Sequence, residues 1–236
     1  MKRLLKIFAF VIPGTFAQQL QPVAGSISGN LRGDDGSAIA GGIIILHREP
    51  TEKSRMARQR TNWSTVTAAT GVFQFSGLPE GNYTLCPHVQ NSTWLSPCQW
   101  NFPTPTATIS RLIPNASVTL VLKRGAAVPI RIDDAGQFLS QHEGRTPGAG
   151  LLLGISSPGS FFHSMPLLSK DSNGRNYQIV VPFNTQLTLV VHPSFYRMND
   201  AAGAPLRQSI STKVPLVVST GQLVSPIKFT ISGAGN

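Results

Sequence analysis

The sequence predicts an all-β protein built as two consecutive β-sandwich domains, and three observations carry that prediction. First, 22 Gly and 18 Pro punctuate the chain between short runs rich in Val, Ile, Leu, Thr and Phe; such spacing suits strands joined by turns. Second, the runs alternate apolar and polar residues with a period of two, which puts one face in a core and the other in water. Third, the pattern restarts beyond Lys123-Arg124-Gly125, and 236 residues suffice for two units of ordinary size. Composition narrows the class further: 41% of residues are hydrophobic and only 13% charged. That balance excludes a disordered solvating chain and a charge-laced helical bundle.

In chain order, Ser26 to Arg32 alternates and ends at Gly33-Asp34-Asp35-Gly36, where the Asp-Gly pair marks a turn. Ile43 to Leu46 is a continuous apolar run and reads as a strand buried on both faces. Trp63 to Ala68 alternates into Thr70-Gly71, and Val72 to Phe75 continues as its partner with Phe73 and Phe75 on one face. Leu78-Pro79-Glu80-Gly81 turns the chain, Asn82 to Cys86 places Tyr83 and Leu85 together, and Ser117 to Leu122 closes the set.

These residues resemble a known family. Gly25-x-Ile27-x-Gly29-x-Leu31, then Gly36 and Ile39, then Gly41 to Leu46, then Thr70-Gly71-x-Phe73-x-Phe75-x-x-Leu78-Pro79-x-Gly81-x-Tyr83-x-Leu85 is similar to the carboxypeptidase-regulatory-like domain. The resemblance spans roughly residues 22 to 122 and implies a transthyretin-like seven-stranded Greek key for the first domain. It implies little about function, because that domain is an accessory module in many exported proteins.

The second half offers Val128 to Ile132, Leu151 to Ile155, a turn at Ser172-Asn173-Gly174, and then Tyr177 to Val181. Gln186 to His192, Phe195 to Met198, Pro215 to Val218 and Ile227 to Ile231 follow. Gly174 to Val191 weakly echoes Gly71 to Leu85, so this domain is either a diverged copy of the first or an immunoglobulin-like sandwich. The expected division is a signal peptide over residues 1–17, the first sandwich over 18–122 and the second over 123–236.

The targeting reading rests on Lys2, Arg3 and Lys6 around an apolar stretch from Leu4 to Ile12, broken at Pro13-Gly14 and followed by small residues at Thr15 and Ala17. Cleavage is expected after Ala17, leaving Gln18 first. The stretch is far shorter than the roughly 20 residues a spanning helix needs, and no other segment qualifies. Secretion, or residence in the periplasm or cell envelope, follows. Removal takes three of the 20 basic side chains and none of the 10 acidic ones, so the chain stays basic. The dense run Lys53, Arg55, Arg58 and Arg60 reads as a solvated loop, and an exported protein is not expected to meet nucleic acid. In that compartment Cys86 and Cys98, the two cysteines of the chain, are expected to form a disulfide.

The sequence carries few motifs of reactive chemistry. The nucleophile elbow Gly-x-Ser-x-Gly does not occur, and His47, His88, His142, His163 and His192 stand singly without His-x-x-Glu or His-x-His pairs. Asp34-Asp35 and Asp133-Asp134 read as turn residues. The iron-binding Tyr-x-His-x-His cluster of the fold's dioxygenases is missing from the sequence. No catalytic residue, metal or cofactor is therefore expected. The chain reads as a non-enzymatic binding or structural module, with a small enzyme using His163 or His192 in the second sandwich as the alternative. Binding of a glycan, or of another envelope protein, needs a platform: Trp63 and Trp94 beside loops are the candidates, whereas Trp100 is expected over the disulfide and Tyr83 in the core. Sequons stand at Asn62, Asn82, Asn91 and Asn115.

Overall fold

The computed structural model describes residues 24–50, 61–141, 150–157, 161–208 and 210–235. The targeting segment with its cleavage point and the basic run from Lys53 to Arg60 lie outside these residues. Two sandwiches follow one another along the chain. In the first, β1 (Gly25–Gly33) lies between β4 (Val72–Leu78), antiparallel to it, and β7 (Asn115–Leu122), parallel to it. The other sheet runs in the order β3 (Asn62–Val66), β2 (Ile43–Arg48), β5 (Gly81–His88) and β6 (Thr106–Ile109), all antiparallel.

Period-two patterning makes the core between these sheets. Ile27 and Leu31, Phe73 and Phe75, and Leu120 and Leu122 from one sheet meet Ile44 and Leu46, Tyr83 and Leu85, and Ile109 from the other, all buried. Each such aliphatic side chain contributes about 1.5–3 kcal/mol of transfer free energy. Phe73 and Phe75 pack edge to face at 6.2 Å. Tyr83 is fully buried and its O–H donates to Pro79 O across the turn, satisfying the one polar atom it carries inward. Burial pushes its phenol above the ordinary value. One expectation fails in β2: Ile45 is 43% exposed between buried Ile44 and Leu46. The sheet is covered on one face only, so a continuous apolar run need not be buried on both.

The second sandwich repeats this plan with two additions. There β8 (Ala126–Asp133) lies between antiparallel β12 (Gly174–Val181) and parallel β16 (Ile227–Ala234). The other sheet runs β10 (Phe162–Ser164), β9 (Leu151–Ser156), β13 (Leu187–Pro193) and β15 (Thr212–Leu216). Strand for strand, β8, β9, β10, β12, β13, β15 and β16 occupy the positions of β1 to β7. The additions are β11 (Leu167–Asp171) outside β12 and β14 (Tyr196–Asp200) outside β16. Here Arg131 on β8 reaches past β12 to hold Asp171 through two contacts at 2.6 and 3.0 Å, and Asp133 at 2.8 Å. Both the weak echo and the turn Ser172-Asn173-Gly174 thus fall at equivalent places in the two units.

The acidic pairs read as turn residues hold the backbone. Asp35 accepts the Ser37 N–H at 2.9 Å, and buried Asp134 accepts the N–H groups of Phe138 and Leu139, both at 2.9 Å, at the start of the short helix Phe138–Gln141.

Candidate functional site

The connection between β5 and β6 builds the site. Cys86 on β5 and Cys98 form the expected disulfide. Inside it, Ser92 Oγ donates to Val89 O at 2.9 Å and accepts the Trp94 N–H at 3.3 Å, which turns the chain back. Thr93 to Leu95 then pairs with the link between the sandwiches: the Leu95 N–H donates to Lys123 O at 2.9 Å and the Gly125 N–H to Thr93 O at 2.8 Å. Past Leu95 the chain winds tightly, with Ser96 O accepting the N–H groups of both Gln99 and Trp100, each at 3.2 Å.

Three side chains of this loop divide between the two cores. Leu95 and Trp100 are buried in the core of the second sandwich, not the first. Trp100, expected over the disulfide, has its ring 4.3 Å from that of His163 on β10. The link makes room for this by having glycine at 125, where a Cβ would come within 2.5 Å of Val181 O and 2.7 Å of the Leu95 side chain. Trp94 is half-buried instead, packed on the first core. The rim of its ring abuts Gly33, where a Cβ would lie 2.3 Å away, and the Arg124 guanidinium sits 4.1 Å from its centroid. Asp35 pairs with Arg124 at 3.2 Å. Hydrogen bonds from Ser37, with a smaller share from Arg124, hold the Asp35 carboxyl down to about 2.

Trp94 then lines a cleft of about 330 Å³ between the sandwiches. From the first sandwich come His88, Gln90, Asn91, Ser92 and Gln99; from the second come Leu167 and Leu168 of β11 with Gln178 of β12. Among the described residues that line it, none is Lys, Arg, Asp or Glu. A cleft of primary amides, one indole and two exposed leucines can accept and donate hydrogen bonds to uncharged polar groups while covering an apolar face.

Trp63, the other candidate, is also half-buried; it packs edge to face on Tyr83 at 5.8 Å and against the first core, away from the cleft. The structure does not bring the two tryptophans together. The β11 half of the site was unreadable beforehand, because Leu167-Leu168-Ser169-Lys170-Asp171 has no alternation and all five residues are exposed. A second cavity, of about 280 Å³ near Asp134, Lys170, Asp171 and Arg175, is charged, but its acids already cap a helix and bind Arg131. His163 Nε2 lies 3.3 Å from Ser157 Oγ, and burial lowers its pKa. His192 stands apart on β13 with Nδ1 buried and without a hydrogen-bond partner among the described residues. Among the described residues, no three His, Cys, Asp or Glu side chains gather as a metal site would require. No helix among them is long and apolar enough to cross a membrane.

No family model matches the chain, and no curated protein does. Among solved structures it is similar to a streptococcal ancillary pilin at 9% identity, covering 87% of this chain and 62% of that one, with a TM-score of 0.42. A shaft pilin of Lactobacillus rhamnosus GG is 12% identical over 89% of this chain and 99% of its own, at 0.33. A putative carbohydrate-binding protein of Pseudomonas aeruginosa is 15% identical over 46% and 94%, at 0.29. These likenesses are to β-sandwich proteins and carry no argument about binding or catalysis.

Proposed function

We propose that this protein is an exported, non-enzymatic binding module of the cell envelope or its surroundings, and that the cleft between its sandwiches takes a carbohydrate. The observation that carries the reading is the convergence of Trp94, Gln90, Asn91 and Gln99 from one sandwich with Gln178, Leu167 and Leu168 from the other on one uncharged cleft. Amides pair with neighbouring hydroxyls, and the indole edge and leucines cover the apolar face of a sugar ring. The first sandwich is, on this reading, a carboxypeptidase-regulatory-like domain used as a scaffold. A glycan array probed with the protein, Trp94→Ala and Gln178→Ala tests it: binding to an uncharged polysaccharide is expected, weakened at least tenfold by either change. Trp63→Ala, which perturbs the first core, is expected to lower stability and leave the affinity of the folded fraction intact. Absence of binding above the buffer control, or binding indifferent to both cleft variants, overturns the reading.

The alternative, a small exported enzyme with its site in the second sandwich, rests on the Ser157–His163 pair at 3.3 Å, where a hydroxyl meets an imidazole whose pKa burial lowers. A panel of ester substrates separates the two. Turnover lost in both Ser157→Ala and His163→Ala replaces binding by catalysis as the function.

A further inference from the structure

Among the described residues, the eight edges of the four sheets are not alike. β3, β6, β10 and β15 are only three to five residues long, and β15 also carries Lys213 and Pro215. β4, β11 and β14 are each joined to their neighbour through a register shift, and β11 and β14 carry Lys170, Asp171, Arg197 and Asp200. Short length, bulges, proline and charge are the devices that keep a strand edge from recruiting another chain. β7 has none of them. It has eight residues, Asn115-Ala-Ser-Val-Thr-Leu-Val-Leu122, without charge or proline, in unbroken register with β1.

The hydrogen bonds at the two ends of that pair show which groups are open. Ser26 N–H donates to Pro114 O and Asp34 N–H to Leu122 O, both at 2.9 Å. A parallel ladder repeats every two residues. Pro114, Ala116, Val118, Leu120 and Leu122 therefore turn their backbone groups toward β1, and Asn115, Ser117, Thr119 and Val121 turn theirs away. No described strand pairs with that side, and the side chains of the same four residues are exposed.

We propose that the open edge of β7 docks an extended strand from a partner protein, which joins the β4–β1–β7 sheet as its fourth member. This rests on the edge alone and is independent of the cleft. The chemistry of the partner follows from the flanks. Arg32 pairs with Val121 in the ladder and is exposed, as is Lys123 just beyond the strand; Arg111 precedes the strand, held by Glu80 at 3.3 Å. Lys123 makes no ion pair among the described residues. A second copy running parallel would set Arg32 and Lys123 against their own counterparts, and one running antiparallel would offer them no free carboxylate, since Glu80 already holds Arg111. The partner strand is therefore uncharged and β-branched through its middle and acidic at its ends.

The probe is a blocked decapeptide, Asp-Glu-Thr-Val-Thr-Val-Thr-Val-Asp-Glu, added to the full chain. Binding is expected to slow amide hydrogen exchange at Ser117, Thr119 and Val121 at least tenfold. Thr119→Pro removes an outward N–H without touching the ladder to β1, so it is expected to lose the peptide at least tenfold while keeping its unfolding midpoint; Ser117→Pro carries the test where that variant fails to fold. Thr119→Val keeps the N–H and binds as the parent does, and Lys123→Glu weakens binding several-fold. No protection at the three amides, or a proline variant that folds and binds unchanged, overturns the proposal. A self-associated species in sedimentation that the proline variant abolishes also overturns it, because the edge then belongs to a second copy.

Discussion

The β5–β6 connection of the first sandwich and the β13–β15 connection of the second occupy the same place in the same topology, yet they do opposite things. The second, residues 194–211, contains β14, whose Tyr196 and Met198 are buried in the core of their own domain while the strand pairs with β16. The first, residues 89–105, sends Leu95 and Trp100 into the core of its neighbour. Local chemistry explains the divergence. Tyr196 and Met198 alternate with exposed residues, so the chain adds a strand; around Pro97 the chain coils, with Ser96 O accepting two amides, and cannot. Cohesion between the domains therefore resides in a loop, clamped by a disulfide at its base and by backbone pairing to Lys123–Gly125.

The largest test of this contrast is Trp100→Ala. Although Trp100 belongs by sequence to the first domain, its removal is expected to cost about 3–5 kcal/mol, with hydrogen exchange accelerating at Ile155 and Leu189 in the second. Met198→Ala, at about 2–5 kcal/mol, is expected to act on the second sandwich alone. Should Trp100→Ala speed exchange in the first sandwich only, the contrast between the loops collapses.

Next in size is Cys98→Ser. Opening a loop whose ends are 12 residues apart forfeits at most about 3 kcal/mol, and urea unfolding is expected to split from one transition into two as the domains lose their clamp. One unsplit transition at an unchanged midpoint would show that the backbone pairing at Lys123–Gly125 suffices by itself.

A smaller effect is expected at the Arg124 guanidinium that overlies Trp94. Arg124→Ala frees the indole, and calorimetry is expected to find the unfolding midpoint nearly unchanged because the Asp35–Arg124 pair is exposed. Affinity at the cleft should shift several-fold. An invariant affinity would remove Trp94 from the site.

The smallest separates β11, one of the two strands peculiar to the second sandwich. Arg131, then the Asn173 N–H, hold the Asp171 carboxyl down to about 2. A carboxylate whose folded value is depressed stabilises the fold above its unfolded value near 4, and that contribution is lost as pH falls toward 2. The stability difference between the parent and Asp171→Asn should accordingly be level above about pH 5, shrink as pH falls, and vanish only below about pH 2. A difference that does not change with pH would mean that the pair does not anchor β11.

Much of the fold was legible in the residues, and less of the site. Alternation in Gly25–Gly33, Val72–Leu78 and Gly81–His88 specified strands and their inward faces, and Phe73, Phe75, Tyr83 and Leu85 are buried as their spacing requires. The expected compartment and the cysteine number pointed to the disulfide that the structure contains. These properties are local: a period of two and a pair of thiols are present in the chain whatever it later touches. Tertiary structure alone decided that Ile45 faces water, that Trp63 packs on Tyr83, that Trp100 meets His163, and that Leu167, Leu168 and Gln178 stand across from Trp94. For Trp94 and Trp100 the surface covered depends on what lies beyond the link at Lys123–Gly125, and no short-range pattern encodes a neighbour more than 60 residues away.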